Sequence, residues 1–291
     1  MNQPERRRIS RRRFLCAAGA AAVALPAIPC VARAAYPSPF PARTPGTPAG
    51  GGTYQCGDAA LLAEAAARGI PLLDTSPDYR DGELETWVGR AVERSPGPVT
   101  VMTQIPAAAW EEERRETAFH RALDRSLDLL GRKRVDALLV RNATVEQLED
   151  PAFRAFAVAA LGAGKAGAIG ASGHGRAVEA VLERAAVDPL LEVVLFGAHL
   201  AGGRGFRDLL AGARRGGTAL VAMKTREAAL WDRRPGWERE QERRRHRPWD
   251  GAWDGEFTRR ALAYALARTR ADTAVVSLHT EADLRAALET G

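Results

Sequence analysis

The chain has 291 residues, 46% hydrophobic and 27% charged, enough apolar material for one large core. Its formal charge is +6, yet residues 1–34 hold seven Arg and one Glu and so carry all of it, which leaves the remainder neutral. A nucleic-acid partner, which needs excess positive charge against phosphate backbones, is therefore excluded from the expectations.

In chain order, residues 1–34 read as an address. Ser10-Arg11-Arg12-Arg13-Phe14-Leu15 resembles the twin-arginine export motif, and Ala32-Arg33-Ala34 has the small-residue spacing of a cleavage site. The apolar run between them, residues 16–27, is about a third too short for the roughly 20 residues that span a bilayer. The expectation is passage through the twin-arginine export machinery, cleavage after Ala34, a periplasmic or extracellular location, and no stable membrane anchor afterwards. Cys16 and Cys30 leave with the signal, so Cys56 remains alone and no intramolecular disulfide can form. Such a chain suits an export route that carries proteins already folded in the reducing cytoplasm.

Residues 35–52 are rich in Pro and Gly and read as a linker. A short first strand is expected near 51–54. Strands and helices then alternate with a period near 30 residues: helix 58–69, strand 70–75, helix 83–94, strand 98–103, helix 112–131, strand 135–140, helix 146–163 and strand 167–172. The pattern continues with helix 175–186, strand 191–196, helix 204–215, strand 218–223, helix 256–269, strand 273–277 and helix 281–290. The strands are continuous apolar runs, as expected where both faces of a parallel sheet are covered. About 257 residues in eight such units fit an α/β eight-fold parallel β/α (TIM) barrel over residues 53–291. Thr144, Ser172 and Thr280 stand where helix N-caps belong, and Thr280 with Asp283 forms a capping-box-like pair.

Chemistry in such a barrel belongs just past the strands' C-terminal ends. The densest candidate stretch is residues 69–92, where Asp74 and Tyr79 follow an apolar run and precede a carboxylate-rich helix start. Two readings apply to it. One is a proton-transfer site; the other is a capped helix with Asp78 or Asp81 as N-cap, Glu83 and Glu85 in the first turn, and Trp87 and Val88 toward the core.

LLDTSPDYRDGELETWVGRAV resembles the segment that marks aldo/keto reductases, with Asp74, Thr75, Tyr79, Glu83 and Gly89 at matching positions. ALDRSLDLLGRKRVDALLV, GKAGAIGASGHG and GTALVAMKT follow in the same order and spacing. The resemblance implies a barrel oxidoreductase that uses NADP or NAD to reduce a small carbonyl or sugar-like molecule. It also implies a catalytic set of Asp, Tyr, Lys and His, in which the Lys lowers the Tyr pKa. Here Asp74 and Tyr79 stand, but the Lys position is Gln104 and the His position is Arg141. Gln104 carries no charge to lower a phenol pKa, whereas Arg141 can pair with Asp74 and still donate to a carbonyl oxygen, or close a site that no longer works.

The implied cofactor positions are Ser172, Gly173 where an Asn often holds the nicotinamide amide, Met223 where an aromatic often stacks, Lys224 and Thr280. His174, His199 and His279 also fall just past strands, but no H-x-H or H-x-x-x-H spacing accompanies them, so no metal site is expected. Residues 226–256 concentrate Trp231, Trp237, Trp249 and Trp253 with the run Arg243-Arg244-Arg245-His246-Arg247 and read as a lid over the barrel mouth. Two function classes follow: an exported NAD(P)-dependent oxidoreductase, or a reductase-like barrel that has lost hydride transfer and binds a ligand or partner.

Overall fold

The structure, a computed structural model, describes residues 49–231 and 254–290. The signal at 1–34 and most of the linker lie outside the described residues. Eight parallel strands close a barrel in the order β1 to β8: β1 Gly50–Gly52, β2 Leu72–Asp74, β3 Thr100–Ile105, β4 Ala137–Val140, β5 Ile169–Gly173, β6 Val193–Gly197, β7 Ala219–Met223 and β8 Thr273–Ser277. The outer helices are α1 Ala59–Ala67, α2 Glu83–Glu93, α3 Arg115–Leu130, α4 Val145–Glu149, α5 Pro151–Gly162, α6 Ala177–Ala185, α7 Arg204–Gly216, α8 Thr225–Trp231, α9 Gly255–Thr269 and α10 Glu281–Leu288. This is the α/β barrel expected from the alternating pattern. None of the described helices is long and apolar enough to cross a membrane.

Strand register shows how the barrel is filled. Following the pairings round the sheet, with an average advance of about one residue per strand for a closed eight-stranded barrel, the inward positions fall into layers of four from alternate strands. Leu72, Ala137, Val193 and Thr273 form a lower layer; Gly50, Met102, Gly170 and Val221 lie above it. Next come Asp74, Leu139, Leu195 and Val275, then Gly52, Gln104, Ser172 and Met223. Apart from Thr273, which is polar and only half-buried, the lower layers are apolar and buried. A second and larger apolar cluster lies between sheet and helices, where Trp110, Phe119, Phe153 and Phe156 meet at ring-centroid separations of 4.6 to 6.5 Å. The glycines of β1 follow from crowding: a Cβ at Gly50 meets the Leu72 side chain at 2.6 Å, and one at Gly51 meets Leu278 at 2.6 Å.

Several boundaries differ from expectation. Gly50–Gly52, assigned to the linker apart from its end, is β1 itself. The expected helix 146–163 is two helices, because Pro151 cannot continue the first and Asp150 caps the second, accepting from the N–H groups of Ala152 and Phe153. Thr144 and Thr280 cap helices with full capping boxes. Ser172 does not: it sits inside β5 with its side chain toward the barrel. The N-cap of α2 is Gly82, at φ 88°, rather than Asp78 or Asp81. Of the proposed lid at 226–256, the start belongs to α8 and the end to α9, and residues 232–253 lie outside the described residues.

Gly89 is set by a helix crossing. A Cβ there falls 2.3 Å from the carbonyl oxygen of Leu130, so α2 and α3 approach backbone to backbone. Gly89→Ala is expected to lower stability by about 2–3 kcal/mol, since the clash is with main chain that cannot rotate away. Urea denaturation of both proteins checks this; an unchanged midpoint would show that the helices part easily.

Candidate active site

The side-chain period of two places the chemistry. Each strand that ends an apolar stack delivers its next inward residue to the C-terminal mouth: Leu72 leads to Asp74, Met102 to Gln104, Leu139 to Arg141, Gly170 to Ser172, Val221 to Met223 and Val275 to Ser277. These residues line one cavity of about 640 Å³, within the roughly 300–1,000 Å³ usual for small-molecule sites. Tyr79, Lys224, Tyr54, His174 and His279 join its wall from the loops.

Asp74 is 6% exposed and stands one layer below Gln104 and Ser172, in a layer whose other members are Leu139, Leu195 and Val275. Loss of hydration pushes its carboxyl up to about 7, although a hydrogen bond from Gln104 and the charge of Arg141 both oppose the rise. Gln104 in turn accepts from the Ser172 hydroxyl at 3.4 Å, and Ser172 Oγ accepts from the N–H of Asn142 at 3.3 Å. This chain turns the Gln104 carbonyl toward Ser172 and its amide nitrogen toward Asp74.

Arg141 does not pair with Asp74. Its guanidinium donates to Asp78 at 3.0 Å and lies 5.3 Å over the Tyr79 ring. The layering explains the choice: Arg141 enters the barrel two residues above the level of Asp74, with Gln104 and Ser172 between, while Asp78 stands in the β2 loop at the mouth. Tyr79 also meets Tyr54 edge-on, with ring centroids 5.3 Å apart. Burial, followed by the charge of Asp74, pushes the Tyr79 phenol well above its usual value, and Arg141 only partly offsets this.

The other expected residues are placed as follows. Met223 and Lys224 line the cavity, Lys224 at φ 53°. Gly173 does not: a Cβ there would point at Val178 of α6, 3.1 Å away, because the residue after inward Ser172 faces outward. Thr280 is occupied in capping α10 and lies off the cavity wall. His174 and His279 reach the cavity, whereas His199 folds over Gly197. All three imidazoles are shifted down, chiefly by burial. Among the described residues no group of three His, Cys, Asp or Glu side chains is placed to hold a metal ion.

Sequence reasoning missed Tyr54, which follows the short β1, and Asp78, which it took for a cap. It also missed Arg226, whose buried guanidinium pairs with Asp283 and donates to Thr258 Oγ1 at 3.1 Å, tying α8 to α9 and α10 beneath the rim. The run of positive φ at Gln55, Asn142 and Lys224, each just past a strand and on the cavity wall, carried no sequence signal.

The residues suit a nicotinamide dinucleotide. Leu195, Met223 and Val275 give an apolar, polarisable slot beside the Ser172 hydroxyl, and Lys224 and the buried, unpartnered Thr225 hydroxyl stand at one edge. The sequence profile of the aldo/keto reductase family matches residues 52–195. The chain belongs to the aldo/keto reductase family. Among solved structures, this aldo/keto reductase resembles a thermostable aldo-keto reductase in complex with the inhibitor epalrestat, at 20% identity over 83% of this chain and 88% of that one, with a TM-score of 0.62. It likewise resembles the holo form of an aldo-keto reductase from Bacillus halodurans (18%, 86% and 90%, TM-score 0.60). An aldo/keto reductase from Brucella melitensis is similar at 20% identity, with 83% and 86% coverage and a TM-score of 0.59. At these identities the likeness bears on fold. No curated protein sequence matches the chain.

Proposed function

We propose that the protein is an NAD(P)H-dependent reductase of a small carbonyl or sugar-like compound, working in the reducing direction. The observation that carries this reading is the gathering of Asp74, Tyr79, Arg141, Ser172 and Met223 around one cavity at the strands' C-terminal mouth. Ser172, Met223 and Lys224 on the cavity wall would hold NAD(P)H, which when bound would supply the hydride. Tyr79, kept neutral by its raised pKa, serves as a hydrogen-bond donor to the carbonyl oxygen, and Arg141 above its ring stabilises the charge that develops there. The reverse reaction needs a base to take the alcohol's proton, and a phenolate at Tyr79 is not formed near neutral pH.

Titration of the protein with NADPH is expected to quench tryptophan fluorescence, and carbonyl reduction is expected to exceed alcohol oxidation under matched conditions. A second reading, a binding barrel without turnover, is supported by the engagement of Arg141 with Asp78. It stands if small carbonyl compounds bind but NADPH neither binds nor is consumed.

We further propose that the enzyme is exported, on the strength of Arg11, Arg12 and the Ala32-Arg33-Ala34 site. Changing Arg11 and Arg12 to Lys is expected to leave uncleaved precursor in the cell, followed by immunoblotting of fractions. Efficient export of that variant would contradict the proposal.

A further inference from the structure

We propose that the substrate is a 2-oxo acid, its carboxylate held by the open side of the Arg141 guanidinium while Tyr79 bonds the adjacent keto oxygen. The inference rests on the reductase reading and deepens it by naming the substrate class. Arg141 lines the cavity, and its side chain is 30% exposed. Its Nη1 donates to Asp78 at 3.0 Å, whereas Nε and Nη2 have no hydrogen-bond partner among the described residues and stay open to solvent. The bond to Asp78 and the seat over the Tyr79 ring thus hold the guanidinium in place without using up its donors.

The unused donors decide what the open side takes. An uncharged ligand would strip water from these N–H groups and give nothing back, which is costly for a cation. A carboxylate replaces that water with two coplanar oxygens that match the planar fork. The neighbouring groups leave this role to Arg141. Lys224 is a second cation on the wall that forms no ion pair among the described residues, and it falls to the cofactor. Arg226 is paired with Asp283. His174 is shifted down by burial and then by the charges of Lys224 and Arg141, so it adds no positive charge of its own near neutral pH.

Distance sets where the carboxylate sits on the substrate. The guanidinium carbon lies 5.3 Å from the centroid of the Tyr79 ring, so the groups that Arg141 and the phenol bond are neighbours on the ligand. A carboxylate attached directly to the carbonyl carbon meets this requirement, and one displaced by several carbons does not.

The chemistry stays that of the proposed reductase. The keto carbon receives the hydride, and NAD(P)H is oxidised. The C=O π pair moves to oxygen, which takes the proton of the Tyr79 hydroxyl, and solvent replaces that proton through the open cavity. The product is a 2-hydroxy acid whose carboxylate is unchanged.

The test compares the parent with Arg141→Gln and Arg141→Lys on pyruvate, phenylpyruvate and the methyl esters of both. The ratio of kcat/KM for acid over ester is expected to fall about tenfold or more in Arg141→Gln, the ester's own reactivity cancelling between proteins. Arg141→Lys, which keeps the charge without the fork, should fall between. Calorimetry with oxamate, with and without NADPH, should show binding weakened by a similar factor in Arg141→Gln. NADPH-dependent turnover in the parent with a ratio that Arg141→Gln leaves unchanged would overturn the proposal alone, because a residue that only steadies the fold or the developing oxyanion affects acid and ester alike. Turnover of uncharged aldehydes or sugar phosphates in place of the oxo acids would overturn it too. A parent that neither binds nor consumes NADPH, yet binds oxamate through Arg141, would overturn the reductase reading and leave the carboxylate site standing. A parent that binds neither would overturn both.

Discussion

Replacing Gln104 by Lys and Arg141 by His is expected to raise NADP⁺-dependent alcohol oxidation by about a hundredfold or more at pH 8, the usual worth of one well-placed acid-base group. In the parent the Tyr79 phenol sits above its ordinary value because it is buried beside Asp74, and the one nearby cation lies over its ring face while bonded to Asp78. A Lys at position 104 would stand in the layer between Asp74 and the mouth. Its charge would pair with Asp74, ionise that carboxyl, and favour the phenolate at Tyr79. His at 141 would remove the competing clamp and supply a group that titrates near neutrality. Steady-state rates in both directions between pH 6 and 9 decide the matter. An oxidation rate equal to the parent's would mean that the Tyr79 pKa is not what limits the reverse reaction.

The barrel was legible because its determinants are local. Apolar runs such as ALLV at residues 137–140 and VVLF at 193–196 are too short for helices and too continuous for a half-exposed sheet, and their regular spacing leaves room for one crossover helix each. The strand ends, together with the family resemblance, are what put Asp74, Gln104, Arg141, Ser172 and Met223 forward as candidates. What failed was the relation between strands. The pairing of Arg141 depends on a stagger that accumulates round the closed sheet, and no single segment records it. Gly173 could have been excluded from its own segment, since Ser172 inward forces its neighbour outward. Thr280 carried a competing signal in its capping box with Asp283, and the cap claimed the side chain. Tyr54 was invisible because β1 consists of three glycines, whose strand character comes from contact with Leu72 and Leu278 rather than from any propensity of their own.

Asp74→Asn is expected to stabilise the fold at alkaline pH and to do little at acid pH. The carboxyl's folded-state pKa, raised by burial to about 7, exceeds its ordinary value of 3.8, so between these values the folded chain binds a proton that the unfolded chain has lost. Stability then falls as pH rises through this window, because unfolding releases a proton. Below the lower value both states are protonated and the difference vanishes; above the upper one the full cost of an ionised, buried carboxylate remains. At about 1.4 kcal/mol per pH unit the window amounts to something on the order of 4 kcal/mol. Asn keeps the shape and still pairs with Gln104, but cannot ionise. Glu85, another buried carboxyl shifted up by burial, contributes equally to both proteins and cancels in the comparison. Urea denaturation of parent and variant at pH 4, 6 and 8.5 should therefore show midpoints that separate progressively, with the variant higher at pH 8.5. Parallel pH dependences would mean that Asp74 is ionised in the native barrel, and a buried anion there would need a cation that the described residues around it do not provide.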